Sequence, residues 1–297
     1  MPDPALEALR PVAAAGAFAF GAIVGSFLNV VAHRLPLGIS LVRPRSRCPA
    51  CRTPVRAVDN LPVLSWVLLG GRCRGCKGRI SPRYAVVELL SGLLALGAWH
   101  VLVSAPGMLL EPRAWLHLAV VFVVTSALLA ASLIDLDLFV LPDEITIPGM
   151  WAGPACAAVV PELVLGAARR PLPWLPAALP LPLQAALVSG LGVAVGAGVI
   201  WGLGAVGTRV FGKEAMGFGD VKFLGMIGGF VGPAAVLLAL VVAAFLGAVV
   251  GLVQRVRKGS REIPFGPYLA VGGYVEMLFG LAALDWYLER VAALGGR

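Results

Sequence analysis

Long apolar runs set the pattern of this chain. A helix needs roughly 20 apolar residues to cross a hydrocarbon core. Such runs occupy 11–33, 84–104, 115–134, 145–163, 182–208, 220–232, 234–254 and 266–285. The stretch 220–254 is split at Gly232-Pro233, because proline removes a backbone donor and clashes with the preceding turn. Its first half is then short for a full span. Segment 164–181 is proline-rich and predicts an external loop or an interfacial segment. Over 34–83 the pattern changes to a polar, basic insert punctuated by Pro and Gly. Domains this small commonly need a metal or a disulfide. The pattern predicts an all-α polytopic membrane protein with about eight transmembrane helices. Its parts are a first helix (1–33), a small insert (34–83) and a membrane core (84–297).

Composition excludes the alternatives. Apolar residues make up 59% of the 297 residues and charged ones 13%, against roughly 45–50% and 25% in soluble domains. A single soluble core could not bury so much apolar sequence, and disorder and collagen-like repetition are excluded too. The net charge of +8 would suit nucleic acid, but eleven of the 24 basic residues lie between Arg34 and Arg83 with no basic aromatic module. They fit the positive-inside bias instead. With eight spans and both termini outside, 17 Lys/Arg fall on the insert's side and six on the other, which makes the insert cytoplasmic. The mixed-charge start MPDPALEALR and the length of the run 11–33 predict a retained first helix rather than a cleaved signal peptide.

Four of the five cysteines lie in the insert. Cys48-Pro-Ala-Cys51 and Cys73-Arg-Gly-Cys76 form two CxxC pairs separated by 21 residues. Each pair can offer two thiolates to one tetrahedral ion, and a closed four-sulfur shell is a structural zinc site with no open position for catalysis. Two disulfides or four free thiols are the alternatives, and disulfides are rare in the cytoplasm. Cys156, within an apolar run, predicts a buried small residue.

Acids inside or at the ends of spans are costly and tend to mark function. Asp135, Asp137, Asp143 and Glu144 cluster at the end of the third span, in SLIDLDLFVLPDE. Asp220 opens the sixth, behind Gly217 and Gly219, with Lys222 just beyond. The predicted topology puts both groups on one side of the membrane. Two aspartates from different helices can act as a hydrolytic dyad: one takes a proton from water while the other, protonated, polarises a carbonyl. The same pair fits a proton-coupled transporter. Glu88, in the second span, suits either reading, and Glu276, deep in the last span, has no predicted partner.

Several strings together resemble the type IV prepilin peptidases: GSFLNVVAHRLP at 25–36, the paired CxxC with DNLPVLSW at 59–66, ISPRYAVVELLSG at 80–92, IDLDLFVLPDEIT at 134–146, GFGDVK at 217–222 and IPFGPYLA at 263–270. They span the chain in the family's order. The resemblance implies a bacterial inner-membrane aspartyl endopeptidase with Asp135 and Asp220 as the catalytic pair. It makes Asp143 a supporting residue and Asp137 the rival of Asp135. Its substrates would be prepilin or pseudopilin precursors, with a basic leader ending in glycine and then an apolar helix. Cleavage after that glycine would be followed by N-methylation of the new terminus from S-adenosylmethionine, the activity that accompanies the cysteine insert. Asn29, Asp59, Asn60 and Glu88, in the matched strings, are candidates for the methyl-donor site. Glu144 and Glu214 would attract the basic leader. A transporter would show paired discontinuous helices in two halves, whereas this chain has one interrupted span. A purely structural zinc protein would have no use for two separated carboxylates.

Overall fold

In the computed structural model the description covers residues 4–105, 107–166, 178–213, 216–258, 263–280, 282 and 290. The described residues are helical, with no strand beyond two isolated bridges. The helices are α1 (Pro4–Arg34), α2 (Leu64–Leu68), α3 (Arg83–Leu102), α4 (Pro112–Leu138), α5 (Asp143–Val159), α6 (Glu162–Leu165), α7 (Leu181–Phe211), α8 (Phe218–Val231), α9 (Pro233–Lys258) and α10 (Gly266–Val275). All but α2 and α6 fall on the predicted runs. Five of them, α1, α3, α4, α7 and α9, are long and apolar enough to cross a membrane. With α5 at 17 residues and α8 at 14, these two rise only about 26 and 21 Å.

The breaks follow from proline and glycine. Helix α8 stops at Val231, Gly232 turns with φ of 83°, and Pro233 opens α9, as Gly232-Pro233 predicts. Helix α5 ends earlier than its apolar run. Val160 leaves the helical region at φ −123°, ψ 77°, and Pro161 caps the short α6, because a residue before proline is pushed out of helical geometry. Most of the proline-rich segment, residues 167–177, lies outside the described residues. The last run also changes character: α10 passes at Glu276 into a π-helical turn ending at Gly280.

The chain divides into two compact units, Met1–Ala130 and Ala131–Arg297. In the first, α1 packs along α3, and the buried Ser91 hydroxyl donates to the Gly21 carbonyl at 2.7 Å. In the second, α8 is the central helix. Every residue from Phe223 to Val231 is buried, and α5, α7, α9 and α10 pack around it. Lipid tails are as apolar as leucine, so helix association in a bilayer relies on close packing rather than on water expulsion. Gly192 of α7 and Gly228 of α8 meet backbone to backbone: a Cβ at Gly228 would lie 2.1 Å from the Gly192 carbonyl oxygen.

Candidate active site

The end of α4 orients its two acids oppositely. Residues two apart on a helix are rotated by about 200°, so Ile134 and Asp135 are buried while Leu136, Asp137 and Leu138 are exposed. Asp135 is 5% exposed. The helix closes when Phe139 adopts φ of 56° and donates its N–H to the Asp135 carbonyl at 2.9 Å. A short turn through Leu141 and Pro142 then starts α5.

Three helix ends converge there. Asp220 lies in the first turn of α8, its N–H donated to the Gly217 carbonyl at 3.1 Å. Gly266, which begins α10 ahead of Pro267, donates its N–H to Oδ2 of Asp135 at 2.9 Å. The buried Leu141 lies between: a Cβ at Gly219 would stand 3.2 Å from Leu141 Cβ, and one at Gly266 would stand 3.0 Å from Leu141 Cδ2. Leu141 therefore touches both the Gly266 end that holds Asp135 and the Gly219 backbone beside Asp220. The structure thus brings together the two aspartates singled out from sequence, though 85 residues separate them.

The neighbouring acids have other engagements. Asp143, in the first turn of α5, is ion-paired with Lys222 of α8, and the same ammonium lies 5.4 Å from the centre of the Phe218 ring. This clasp joins the helices that follow Asp135 and carry Asp220. Glu144 is exposed, and Glu214 lies outside the described residues. Glu276 is buried, and among the described residues its Oε2 has no hydrogen-bond partner.

The cysteines form a second site, in the first unit. The two CxxC turns have the same construction. Cys48 N–H donates to Thr53 and Arg52 N–H donates back to Cys48; Cys73 N–H donates to Gly78 and Lys77 N–H donates back to Cys73. Arg52 and Lys77 both take φ of 58°. The four Sγ atoms lie within 4.8 Å of one another, with Cys48 and Cys76 at 3.8 Å and Cys51 and Cys73 at 4.0 Å. A zinc ion about 2.3 Å from each of four thiolates sets sulfur separations of about 3.8 Å, so the quartet fits a tetrahedral ion. All are free thiols, and the separations are far from the roughly 2.05 Å of a disulfide. Hydrogen bonding with Thr53 holds the Cys51 thiol down to about 6, whereas the neighbouring thiols of Cys51, Cys48 and Cys73 help push the Cys76 thiol up to about 11. Cys156 is half-buried.

The four residues considered for a methyl donor lie in the first unit too. The Asn29 amide donates to the Gly25 and Tyr84 carbonyls at 3.2 and 3.3 Å. Asp59 is gripped by Arg74 through both oxygens, and hydrogen bonding to that guanidinium holds its carboxyl below the usual range. Asn60 is exposed. Buried Glu88 accepts the Val63 N–H at 2.7 Å. Val63 takes φ of 62° and ψ of −52°, with Leu64 N–H donating to the Pro62 carbonyl across it. That is a strained γ-turn, rare for a β-branched residue.

A multi-pass helical protein with a buried aspartate and a second aspartate on helix ends that converge on one leucine has the ingredients of an intramembrane aspartic hydrolase. Residues 122–252 match the type IV leader peptidase family, and residues 19–102 match the bacterial peptidase A24 N-terminal domain. The chain is 36% identical to the prepilin leader peptidase/N-methyltransferase of Aeromonas salmonicida, over 92% of this chain and 93% of that one. It is 34% identical to the protein of the same name from Neisseria gonorrhoeae, over 95% and 97%. It is 37% identical to the type 4 prepilin-like proteins leader peptide-processing enzyme of Escherichia coli O78:H11, over 87% and 93%. No solved structure matches the chain. The chain belongs to the type IV leader peptidase family.

Sequence reasoning missed two contributors to the site. The Gly266 backbone amide supports Asp135, and the available signal was Gly-Pro at the start of a helix. Leu141 fills the space between three helix ends, and nothing in its local sequence marks it.

Proposed function

We propose that this protein cleaves type IV prepilin or pseudopilin precursors after the leader glycine at the cytoplasmic face of the bacterial inner membrane, then N-methylates the new terminus from S-adenosylmethionine. The observation that carries the reading is that Leu141 joins the Gly266 end, which holds Asp135, to the Gly219 backbone beside Asp220.

Asp135 and Asp220 act as the catalytic pair. A water oxygen adds to the scissile carbonyl carbon while one carboxylate takes its proton and the other, protonated, gives its proton to the carbonyl oxygen. The carbon–nitrogen bond then breaks as the leaving nitrogen takes the proton that the first carboxylate had removed from water, and the carbonyl re-forms by returning its proton to the second carboxylate. The Gly266 N–H fixes one oxygen of Asp135. Asp143 and Lys222 keep the starts of α5 and α8 in register. The precursor's apolar helix lies in lipid and its leader in the cytoplasm, so the bond to be cut sits at headgroup level. Exposed Glu144 attracts the basic leader.

The insert at 34–83 holds one structural zinc on Cys48, Cys51, Cys73 and Cys76, and the peptidase core follows from 84 onward. The Lys/Arg excess of the insert supports its cytoplasmic placement. S-adenosylmethionine supplies an electrophilic methyl group, and the first unit supplies its site. Glu88 and Asn29 shape the backbone around that unit, whereas Asp59 is committed to Arg74. The test is incubation of purified protein with a model precursor and the methyl donor, followed by mass analysis of the mature terminus. A product shortened by the leader and heavier by one methyl group supports the reading; an uncut precursor overturns it.

A further inference from the structure

The root of the insert holds a cavity of about 350 Å³ that none of the assignments above uses. It is within the roughly 300–1,000 Å³ of small-ligand sites. Its walls include Trp66, Arg72, Arg79 and Ser81. It is open to the surface, and hydrogen bonds hold its lining together: Gly71 N–H donates to the Trp66 carbonyl, Ile80 N–H donates to the Gly71 carbonyl, and the Trp66 indole N–H donates to the Ile80 carbonyl at 3.2 Å. Arg72 and Arg79 are paired backbone to backbone in an isolated antiparallel bridge at its edge. Two residues beyond Ser81 the apolar helix α3 begins, so the cavity lies next to the start of a candidate membrane span.

Beside it, α2 is built like an interfacial anchor. Leu64, Val67 and Leu68 are 62%, 61% and 82% exposed, and Leu61 is exposed too. The buried Glu88 clamps the γ-turn at Val63 that launches α2. An apolar face next to Trp and Arg is the composition of a headgroup-level helix. The charge balance selects the ligand: between 34 and 83 there are eleven Lys/Arg and one acid, Asp59, which is paired with Arg74. A field this positive attracts phosphate.

We propose that this cavity is a binding site for the headgroup of an anionic phospholipid. The phosphodiester lies between Arg72 and Arg79 with the Ser81 hydroxyl, and the acyl chains run along the exposed face of α2. The insert is thereby tied to the membrane surface.

The test uses the full-length protein in detergent, with native mass spectrometry of bound phosphatidylglycerol, phosphatidylcholine and inorganic phosphate. The expected result is retention of phosphatidylglycerol over phosphatidylcholine. Affinity should fall about thirtyfold in Arg72→Gln/Arg79→Gln, since each basic side chain is worth roughly fivefold at an anionic surface. Zinc content reports whether the insert stays folded; if the double variant loses zinc, Arg79→Gln alone and the exposed Leu68→Ser decide, each weakening phosphatidylglycerol severalfold. Equal retention by wild type and variants overturns the proposal. So does full displacement by inorganic phosphate with no effect of Leu68→Ser, which would mark a free-phosphate site. Displacement of the lipid by S-adenosylmethionine, with donor affinity lost in the arginine variants, would assign the cavity to the donor and also overturn it. Leader cleavage, measured separately, reports on the peptidase reading independently.

Discussion

Gly266 donates its backbone N–H to Oδ2 of Asp135 at 2.9 Å, and a Cβ at that glycine would stand 2.7 Å from the same oxygen. The contact admits no side chain. Gly266→Ala pushes the carboxylate aside, and a displacement of about 1 Å in a catalytic group costs about 100-fold in rate. The expected outcome is a kcat for leader cleavage down by about two orders of magnitude with KM little changed, read from precursor-cleavage kinetics.

The ion pair of Lys222 with Asp143 is partly open to solvent, the Asp143 side chain being 55% exposed. Pairs of that kind contribute about 0–1 kcal/mol. Asp143→Asn, Lys222→Met and the double variant should each keep cleavage within about tenfold of wild type. A double-mutant cycle on thermal unfolding should return a coupling below about 1 kcal/mol.

At Gly228 the packing leaves no room, because its neighbour is the backbone of Gly192 rather than a flexible side chain. Gly228→Val must separate α7 from α8, and overpacking typically costs about 1–3 kcal/mol or more. Thermal unfolding in detergent should show a clearly lowered Tm, with cleavage lost because α8 carries Asp220.

Much of this arrangement was legible in the sequence, for physical reasons. Helices in lipid are apolar on all sides, so run length alone places them, and Gly232-Pro233 marks a break that no helix carries through. Two CxxC pairs announce a sulfur cluster wherever the chain brings them together. The difference in burial between Asp135 and Asp137 needed the rotation of α4, which sets one against the protein and the other outward. The early end of α5 needed Pro161 to be weighed against an apolar run that continues past it. The role of Gly266 was hidden because a backbone amide leaves no residue-type signature. Glu88 read as a membrane carboxylate, and its contact with the strained turn at Val63 has no signature in the sequence.

The cysteine quartet predicts about one zinc per chain, since one tetrahedral site takes four thiolates. Cys48→Ser with Cys73→Ser should abolish the bound metal and loosen the insert, shown by metal analysis and by faster proteolysis between 34 and 83. Methyl transfer should be lost in that variant while leader cleavage continues. Loss of cleavage and methylation together would tie the peptidase to the insert.

Asp135 and Asp220 are the centre of the account, and leader cleavage by Asp135→Asn and Asp220→Asn measures their role most directly. The two variants and the wild type are purified, shown by thermal unfolding to remain folded, and incubated with a model precursor over a range of pH. The account predicts a bell-shaped rate profile for the wild type, because one carboxylate must be ionised and the other protonated. It also predicts that each variant leaves the precursor uncut at every pH. Full cleavage by either folded variant would contradict it.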